Sequence, residues 1–163
     1  MTRFAALLAL AALTGPIAVP VAAKDSLGVY SNWAAFKDAS PARCYAIAKP
    51  SSASDSGPFA SVANWPDQNI RTQIHIRLSR AIREESDVTL RVGGKSFTLA
   101  ASGHNAWAQD ARMDAAVIAA MRSAPRMTVS ARASNGNRFS DRYDLAGVAT
   151  AIDAAVVGCA NRR

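Results

Sequence analysis

The sequence predicts a mainly β fold: an antiparallel β sandwich or strongly bent sheet with two covering helices, one of them C-terminal. Three patterns support this prediction. From Arg71 to Ser79, apolar and polar residues alternate strictly, as in a half-buried strand. Asp87–Leu99 has the pattern of a hairpin turning at Gly93-Gly94, with apolar residues returning on the same face. The segment Ala146–Ala160 is rich in alanine and has the apolar spacing of a helix.

The N-terminal segment has the pattern of a secretory signal peptide. The apolar run Phe4–Leu13 is followed by Gly15-Pro16, and small residues, Val21 and Ala23, occupy positions −3 and −1 of an expected cleavage site. An uncleaved membrane anchor is the alternative, but the uninterrupted apolar run is too short for a span. We expect cleavage before Lys24, which leaves residues 24–163 as a single exported β-rich domain without a transmembrane segment.

The first half of this domain contains further predicted strands. Leu27–Phe36 and Cys44–Ala48 are expected to be two strands, and the second has small or apolar residues on both faces, which favours a central position. Pro50–Pro58 is rich in serine and is expected to be an exposed loop. Phe59–Trp65 is a further predicted strand that ends before a proline.

A polar loop and a helix are predicted after the central hairpin. Ala100–Asn105 contains a glycine and is expected to be the loop. Asp110 is the expected N-cap of a helix that reaches about Ser123. The apolar spacing predicts its buried stripe, which consists of Met113, Val117, Ala120 and Met121.

A second hairpin and the C-terminal helix complete the prediction. A three-residue loop, Asn135–Asn137, would pair Ala131 with Asp141 and Val129 with Tyr143, and so keep the apolar faces together. Asp141 would then point inward and need a bulge or a partner. The final helix has a predicted buried stripe of Val148, Ile152, Ala155, Val156 and Cys159.

The two cysteines are expected to form a disulfide. A signal peptide implies an oxidising compartment, and Cys159 lies on the predicted buried stripe of the last helix, so a bond from Cys159 to Cys44 is the natural inference. Two free buried thiols or a pair of metal ligands are the alternatives. Neither cysteine has a CxxC partner, which argues against redox catalysis.

The sequence contains no complete catalytic, cofactor or metal motif. GxSxG, SxxK, HExxH and a glycine-rich phosphate loop are absent. His75 and His104 would be the residues of interest in an enzyme, but surface histidines are the simpler interpretation. Trp33, Trp65 and Trp107 would suit a sugar-stacking platform, although isolated tryptophans are more often part of the core.

The formal net charge of +7 comes mostly from scattered arginines, which does not favour a nucleic-acid-binding arm. The predicted sheet would nevertheless concentrate part of that charge. Strand alternation places Arg71, His75, Arg77 and Arg91 on one outer face. This basic face is the candidate site for an anionic partner, and a solvated surface is the alternative.

Short segments of the sequence resemble the invasion-associated locus B family. They are the leader, Gly28–Trp33 leading to Arg43–Ile47, and Asp144–Val148 followed by an alanine-rich helix that reaches Cys159. The resemblance implies a small, exported, mostly antiparallel β protein of a Gram-negative bacterium. Some relatives are linked to entry into host cells. The family pattern often has more cysteines near the first tryptophan, where this chain has only Cys44, and no site residues transfer from it.

These observations favour a non-enzymatic binding protein of the periplasm, the cell envelope or the secreted fraction. The expected partner is an anionic envelope polymer or another protein, and interaction with a host or a surface is part of this hypothesis. The alternative is a small periplasmic hydrolase that acts on an envelope component. A histidine within hydrogen-bonding distance of a serine or a carboxylate in a cleft would favour the hydrolase.

Overall fold

A computed structural model describes residues 24–51 and 57–160, and these form one open antiparallel sheet with two helices. The predicted signal peptide and residues 52–56 of the predicted serine-rich loop lie outside the described residues. The order of the strands in the sheet is β1-β2-β3-β4-β5-β8-β7-β6-β9-β10. The elements are β1 Lys24–Tyr30, β2 Trp33–Asp38, β3 Arg43–Ala48, β4 Phe59–Trp65, β5 Ile70–Arg77, β6 Val88–Val92, β7 Lys95–Ser102, β8 Asn105–Trp107, α1 Ala111–Ser123, β9 Arg126–Arg132, β10 Arg138–Asp144 and α2 Val148–Ala160. The predicted mainly β class is therefore confirmed.

The sheet bends until its two ends make hydrogen bonds to each other. The backbone N–H of Ser51, after β3, donates to the carbonyl of Arg142 in β10 at 2.8 Å. The Asn32 N–H donates to the Ala146 carbonyl at 3.4 Å, next to the start of α2. The architecture is thus a strongly bent sheet, one of the two forms that the sequence predicts.

Both helices pack against the inner face of the bent sheet, where the core lies. Helix α2 contacts β1 to β4, and α1 contacts β5, β6 and β7. The largest fully buried side chains of the core include Trp33, Tyr143, Ile74, Ile76, Leu78, Leu90, Met121, Met127 and Ile152. Neither helix therefore covers the outer face of the sheet.

The central hairpin has the register that the sequence predicts. Val88 pairs with Leu99 and Leu90 with Phe97. Gly93 and Gly94 form the turn with φ values of 55° and 77°. Two consecutive positive φ angles are what a two-residue hairpin turn requires, and glycine adopts them without the cost of a Cβ clash.

Two predicted elements are divided differently in the structure. Leu27–Phe36 is not one strand, because the chain turns at Ser31, which has a φ of 53°, and β1 and β2 form a hairpin. Ala100–Asn105 is not a polar loop, because β7 continues to Ser102 and pairs with β8 across a tight turn. The first reversal lacks a glycine, whereas the second occurs at Gly103, which has a φ of 56°, so only the length of that loop was overestimated.

The register of the second hairpin differs from the prediction by two residues. Ala131 pairs with Phe139 and Val129 with Asp141, and the loop spans residues 133–137. A shift of two residues keeps every side chain on its predicted face. Asp141 is therefore buried as expected, and its partner is the backbone N–H of Ser79 at 2.9 Å.

The predicted N-cap and the predicted disulfide are confirmed. The predicted buried stripe of the last helix is wrong at one residue. The Asp110 carboxylate accepts a hydrogen bond from the Met113 N–H at 2.7 Å and so caps α1. The Cys44–Cys159 disulfide joins β3 to α2, with 5.7 Å between the Cα atoms. The predicted stripe of α2 is wrong at Val156, which is 42% exposed because the helix buries a neighbouring side that includes Ala151.

Candidate functional site

The structure does not bring the four predicted basic-face residues together. His75 and Arg77 lie on the outer face of β5. Arg71 lies instead beside Val156 and Cys159 of α2. A bulge with a positive φ at Thr72 breaks the strand alternation that the prediction extended to Arg71. Arg91 is also distant from His75, because β8 and β7 lie between their strands.

Arg91 instead belongs to a larger polar surface on β6, β9 and β10. The outward side chains of these strands are Thr89, Arg91, Arg126, Thr128, Ser130, Arg132, Arg138, Ser140, Arg142 and Asp144. We name this surface the arginine–hydroxyl face. All but one of its side chains are guanidinium or hydroxyl groups, which donate hydrogen bonds to anions.

The strand register arranges these groups in rows. Thr128 of β9 pairs with Arg91 on one side and with Arg142 on the other. The next outward row consists of Thr89, Ser130 and Ser140. Neighbouring strands lie about 4.8 Å apart, so Arg91 and Arg142 flank Thr128 at a separation of about 10 Å between their backbones.

Carboxylates border one end of this face. Glu84, Glu85 and Asp87 line one end of it, near Arg132. Among the described residues, no carboxylate oxygen lies within 4.0 Å of the Arg91 guanidinium. The Ser130 and Ser140 hydroxyls contact each other at 2.9 Å.

Sequence reasoning identified Arg91 but missed its neighbours. The sequence alternation of β9 predicts an outward position for Arg126, Thr128, Ser130 and Arg132. The direction of these side chains was therefore predictable. The pairing of β6 with β9 could not be predicted, because a helix and more than thirty residues separate the two strands in the chain. The missing information was the long-range strand order.

A second outer-face site is a depression of about 500 Å³ on β3, β4, β5 and β8. Its walls include Tyr45, Phe59, Trp65, Gln73, His75 and Trp107. Its floor is formed by Ser61 and Ala63, the small central residues of β4. Ser61 pairs with His75, and Ala63 pairs with Tyr45 and Gln73. Large side chains around small ones make this part of the sheet concave, and we name it the aromatic depression.

The polar groups of the aromatic depression are held in place. The Arg43 Nε donates to Asp38 Oδ2 at 2.8 Å, and its guanidinium lies 4.6 Å from the centre of the Tyr45 ring and 5.4 Å from that of Trp65. His75 packs edge-on against Phe59 with 5.5 Å between ring centres. These contacts fix the rings before any ligand arrives.

Only two of the three tryptophans suit a stacking platform. Trp65 and Trp107 both line the aromatic depression. Trp33 is fully buried in the core, and its indole N–H donates to the Asp144 carbonyl at 2.9 Å. The three-tryptophan platform is therefore wrong at Trp33.

Each histidine ring makes one polar contact in the described part of the chain. The His75 Nε2 lies 3.0 Å from the Asn105 Oδ1, and the His104 Nδ1 lies 3.3 Å from the Leu78 carbonyl oxygen. Within residues 24–51 and 57–160, neither ring is hydrogen-bonded to a serine hydroxyl or a carboxylate. This geometry lacks the base–nucleophile contact that the hydrolase alternative would use.

The described residues lack two further features. They contain no group of three or more histidine, cysteine, aspartate or glutamate residues placed to hold a metal ion. Within the same residues, no helix has the length and hydropathy needed to cross a membrane.

Comparison with known proteins gives one match. A family model described as "Invasion associated locus B (IalB) protein" matches residues 33–156. Comparisons with curated proteins and with solved structures each found no significant match. The matched range runs from the start of β2 into α2 and so includes both outer-face sites. The chain therefore belongs to the invasion-associated locus B family.

Proposed function

We propose that this protein is an exported, non-enzymatic binding protein of the envelope or cell surface, which holds anionic polymers on its arginine–hydroxyl face. The observation that carries the proposal is the row formed by Arg91, Thr128 and Arg142, next to a row of hydroxyls. Arginine binds carboxylate, sulfate and phosphate groups through a planar fork of donors. The Thr128 hydroxyl between the two arginines and the hydroxyls of the adjacent row would add neutral hydrogen bonds.

The export part of the proposal is supported by the sequence of residues 1–23 and by the disulfide. Val21 and Ala23 fit a signal-peptidase site. Disulfides persist mainly in oxidising compartments such as the periplasm. Mass spectrometry of the protein exported by a Gram-negative host is expected to give a chain that starts at Lys24. A mass that retains residues 1–23 would contradict export with cleavage.

Retention on a heparin column tests the binding part. We expect Arg91→Gln/Arg142→Gln to elute at clearly lower salt than the wild type, because two guanidinium contacts are lost. The matched control is Arg71→Gln/Arg77→Gln, which removes the same charge elsewhere on the molecule. Retention of all three proteins must fall as salt rises, because exposed charges are screened over about 8 Å at physiological ionic strength.

The control decides whether the face or the net charge is responsible. The control variant is expected to elute close to the wild type. An equal loss of retention in both double variants would show that net charge alone controls binding. Circular dichroism of each variant verifies that it is folded, and purified lipopolysaccharide then replaces heparin as a probe that belongs to the envelope.

A further inference from the structure

We propose that the aromatic depression is a second binding site, which takes a neutral pyranose ring of a glycan. A sugar ring has an apolar face of C–H groups and a rim of hydroxyls, so it needs an aromatic surface beside fixed polar groups. The depression supplies both. Its volume of about 500 Å³ lies within the range of about 300 to 1,000 Å³ that is typical of small-ligand sites.

The stacking surface is the indole of Trp107. This side chain is 38% exposed, which is unusual for a large aromatic residue. Trp107 pairs with His75, which in turn pairs with Ser61. A ring that stacks on the indole would therefore lie beside an imidazole and above a small floor residue.

One polar group beside the ring is preorganised, and a second is unpaired among the described residues. The His75 imidazole is positioned by Asn105 and Phe59, so its other nitrogen keeps a defined orientation. The Gln73 amide lines the same wall and makes no hydrogen bond within the described residues, so its donors and acceptor remain for a ligand. Groups held in place before binding reduce the entropic cost of association.

Two cationic side chains line the depression. The Arg43 guanidinium lies nearest to Tyr45 and Trp65 and is already paired with Asp38, whereas Lys24 lines the depression from the start of β1. This pairing distinguishes the depression from the arginine–hydroxyl face, where the Arg91 guanidinium has no such partner among the described residues.

A second concave region adjoins the aromatic depression. Ile47 and Phe59 line both the aromatic depression and a neighbouring apolar depression of about 600 Å³. The two regions therefore meet at β3 and β4. Trisaccharides are used as probes so that a ligand longer than one ring is also tested.

Tryptophan fluorescence and calorimetry with chitotriose, maltotriose and mannotriose test the proposal. We expect saturable binding of at least one of these neutral sugars. Binding is expected to persist in about 1 M salt, where charge interactions are screened within about 3 Å. Failure of all three sugars to bind the folded wild type would overturn the proposal.

Three variants test the location of the site. Trp107→Ala is expected to weaken binding about tenfold, and Trp107→Phe to retain most of it, because an aromatic surface remains. Gln73→Ala is expected to weaken binding with the stacking surface intact. Sugar binding that is unchanged in both Trp107→Ala and Gln73→Ala would overturn the assignment.

The arginine variants separate this proposal from the previous one. Arg91→Gln/Arg142→Gln is expected to bind the sugar as the wild type does, although it is retained less by heparin. Sugar binding lost in that variant would overturn a separate neutral site. Heparin retention lost in Trp107→Ala, with the fold intact, would likewise contradict a division into two sites.

Discussion

The indole Nε1 of Trp33 donates a hydrogen bond to the backbone carbonyl of Asp144 across 111 residues of sequence. Trp33 begins β2, next to one end of the sheet, whereas Asp144 ends β10 at the other. This bond, and the neighbouring one from the Asn32 N–H to the Ala146 carbonyl, join the two ends of the bent sheet.

Trp33→Phe is expected to lower the free energy of unfolding by about 2 to 4 kcal/mol. The smaller ring leaves a cavity at a fully buried position, and the Asp144 carbonyl loses its donor. Urea denaturation measures the change. Trp107→Phe is the matched control and is expected to change stability little, so an equal loss in both variants would contradict the role of Trp33.

Loss of the disulfide is expected to lower stability by roughly 4 kcal/mol. The bond between Cys44 and Cys159 closes a loop with a sequence separation of 115, which restricts the unfolded chain. Urea denaturation of Cys44→Ala/Cys159→Ala measures the loss, and reduction of the wild type is the control for it. Titration of the denatured, unreduced wild type is expected to find no free thiol, whereas two reactive thiols would contradict the bond.

Tyr143→Phe is expected to raise the free energy of unfolding by about 1 kcal/mol. The Tyr143 hydroxyl is buried and has no hydrogen-bond partner among the described residues, and a buried polar group without a partner is costly. Burial raises the pKa of this hydroxyl and the nearby Asp141 adds to the shift, so it stays protonated.

Tyr30→Phe is the contrasting variant for Tyr143→Phe. The Tyr30 hydroxyl donates to the Leu27 carbonyl at 3.0 Å. Removal of this satisfied hydroxyl is expected to lower stability by about 1 kcal/mol. Thermal unfolding of both variants measures whether the two substitutions change stability in opposite directions, as expected. A destabilised Tyr143→Phe would mean that the hydroxyl has a partner.

The parts of the fold that depend on residues close together in the sequence were predictable. The Gly93-Gly94 hairpin and the Asp110 cap follow from local chemistry, because the turn and the cap need particular residues at particular positions. The disulfide was predictable because the chain has only two cysteines.

The candidate sites depend on pairings that no local pattern encodes. Arg91 meets Arg142 only because β6 pairs with β9, and Trp107 meets His75 only because β8 pairs with β5. The bulge at Thr72 moved Arg71 away from the predicted basic face. Strand alternation places a side chain on a face, but the strand order decides which side chains share a site.

Asp114 links α1 to β5 and is expected to make stability depend on pH. Its Oδ1 accepts a hydrogen bond from the Ile74 N–H at 2.8 Å. Burial raises the pKa of this carboxyl above its ordinary value of 3.8, and the charge of Asp110 raises it further, while the Ile74 hydrogen bond opposes the shift. The folded state therefore holds the proton more tightly than the unfolded state, so this contribution to stability is present below pH 3.8 and is lost as pH rises through the folded pKa.

Comparison of Asp114→Asn with the wild type by urea denaturation across this pH range measures the effect. Asparagine keeps an oxygen acceptor for the Ile74 N–H but does not ionise, so the wild type is expected to lose stability relative to the variant as pH rises above 3.8. Asp153→Asn is the control, for which the stability difference from the wild type is expected to change with pH in the opposite direction. A hydrogen bond from Arg122 lowers the pKa of Asp153, so the wild type is expected to gain stability relative to that variant as pH rises. The gain is expected to be small because the Arg122–Asp153 pair is exposed. A wild type that gains stability relative to Asp114→Asn as pH rises would show that the Ile74 hydrogen bond, rather than burial, controls the ionisation of Asp114.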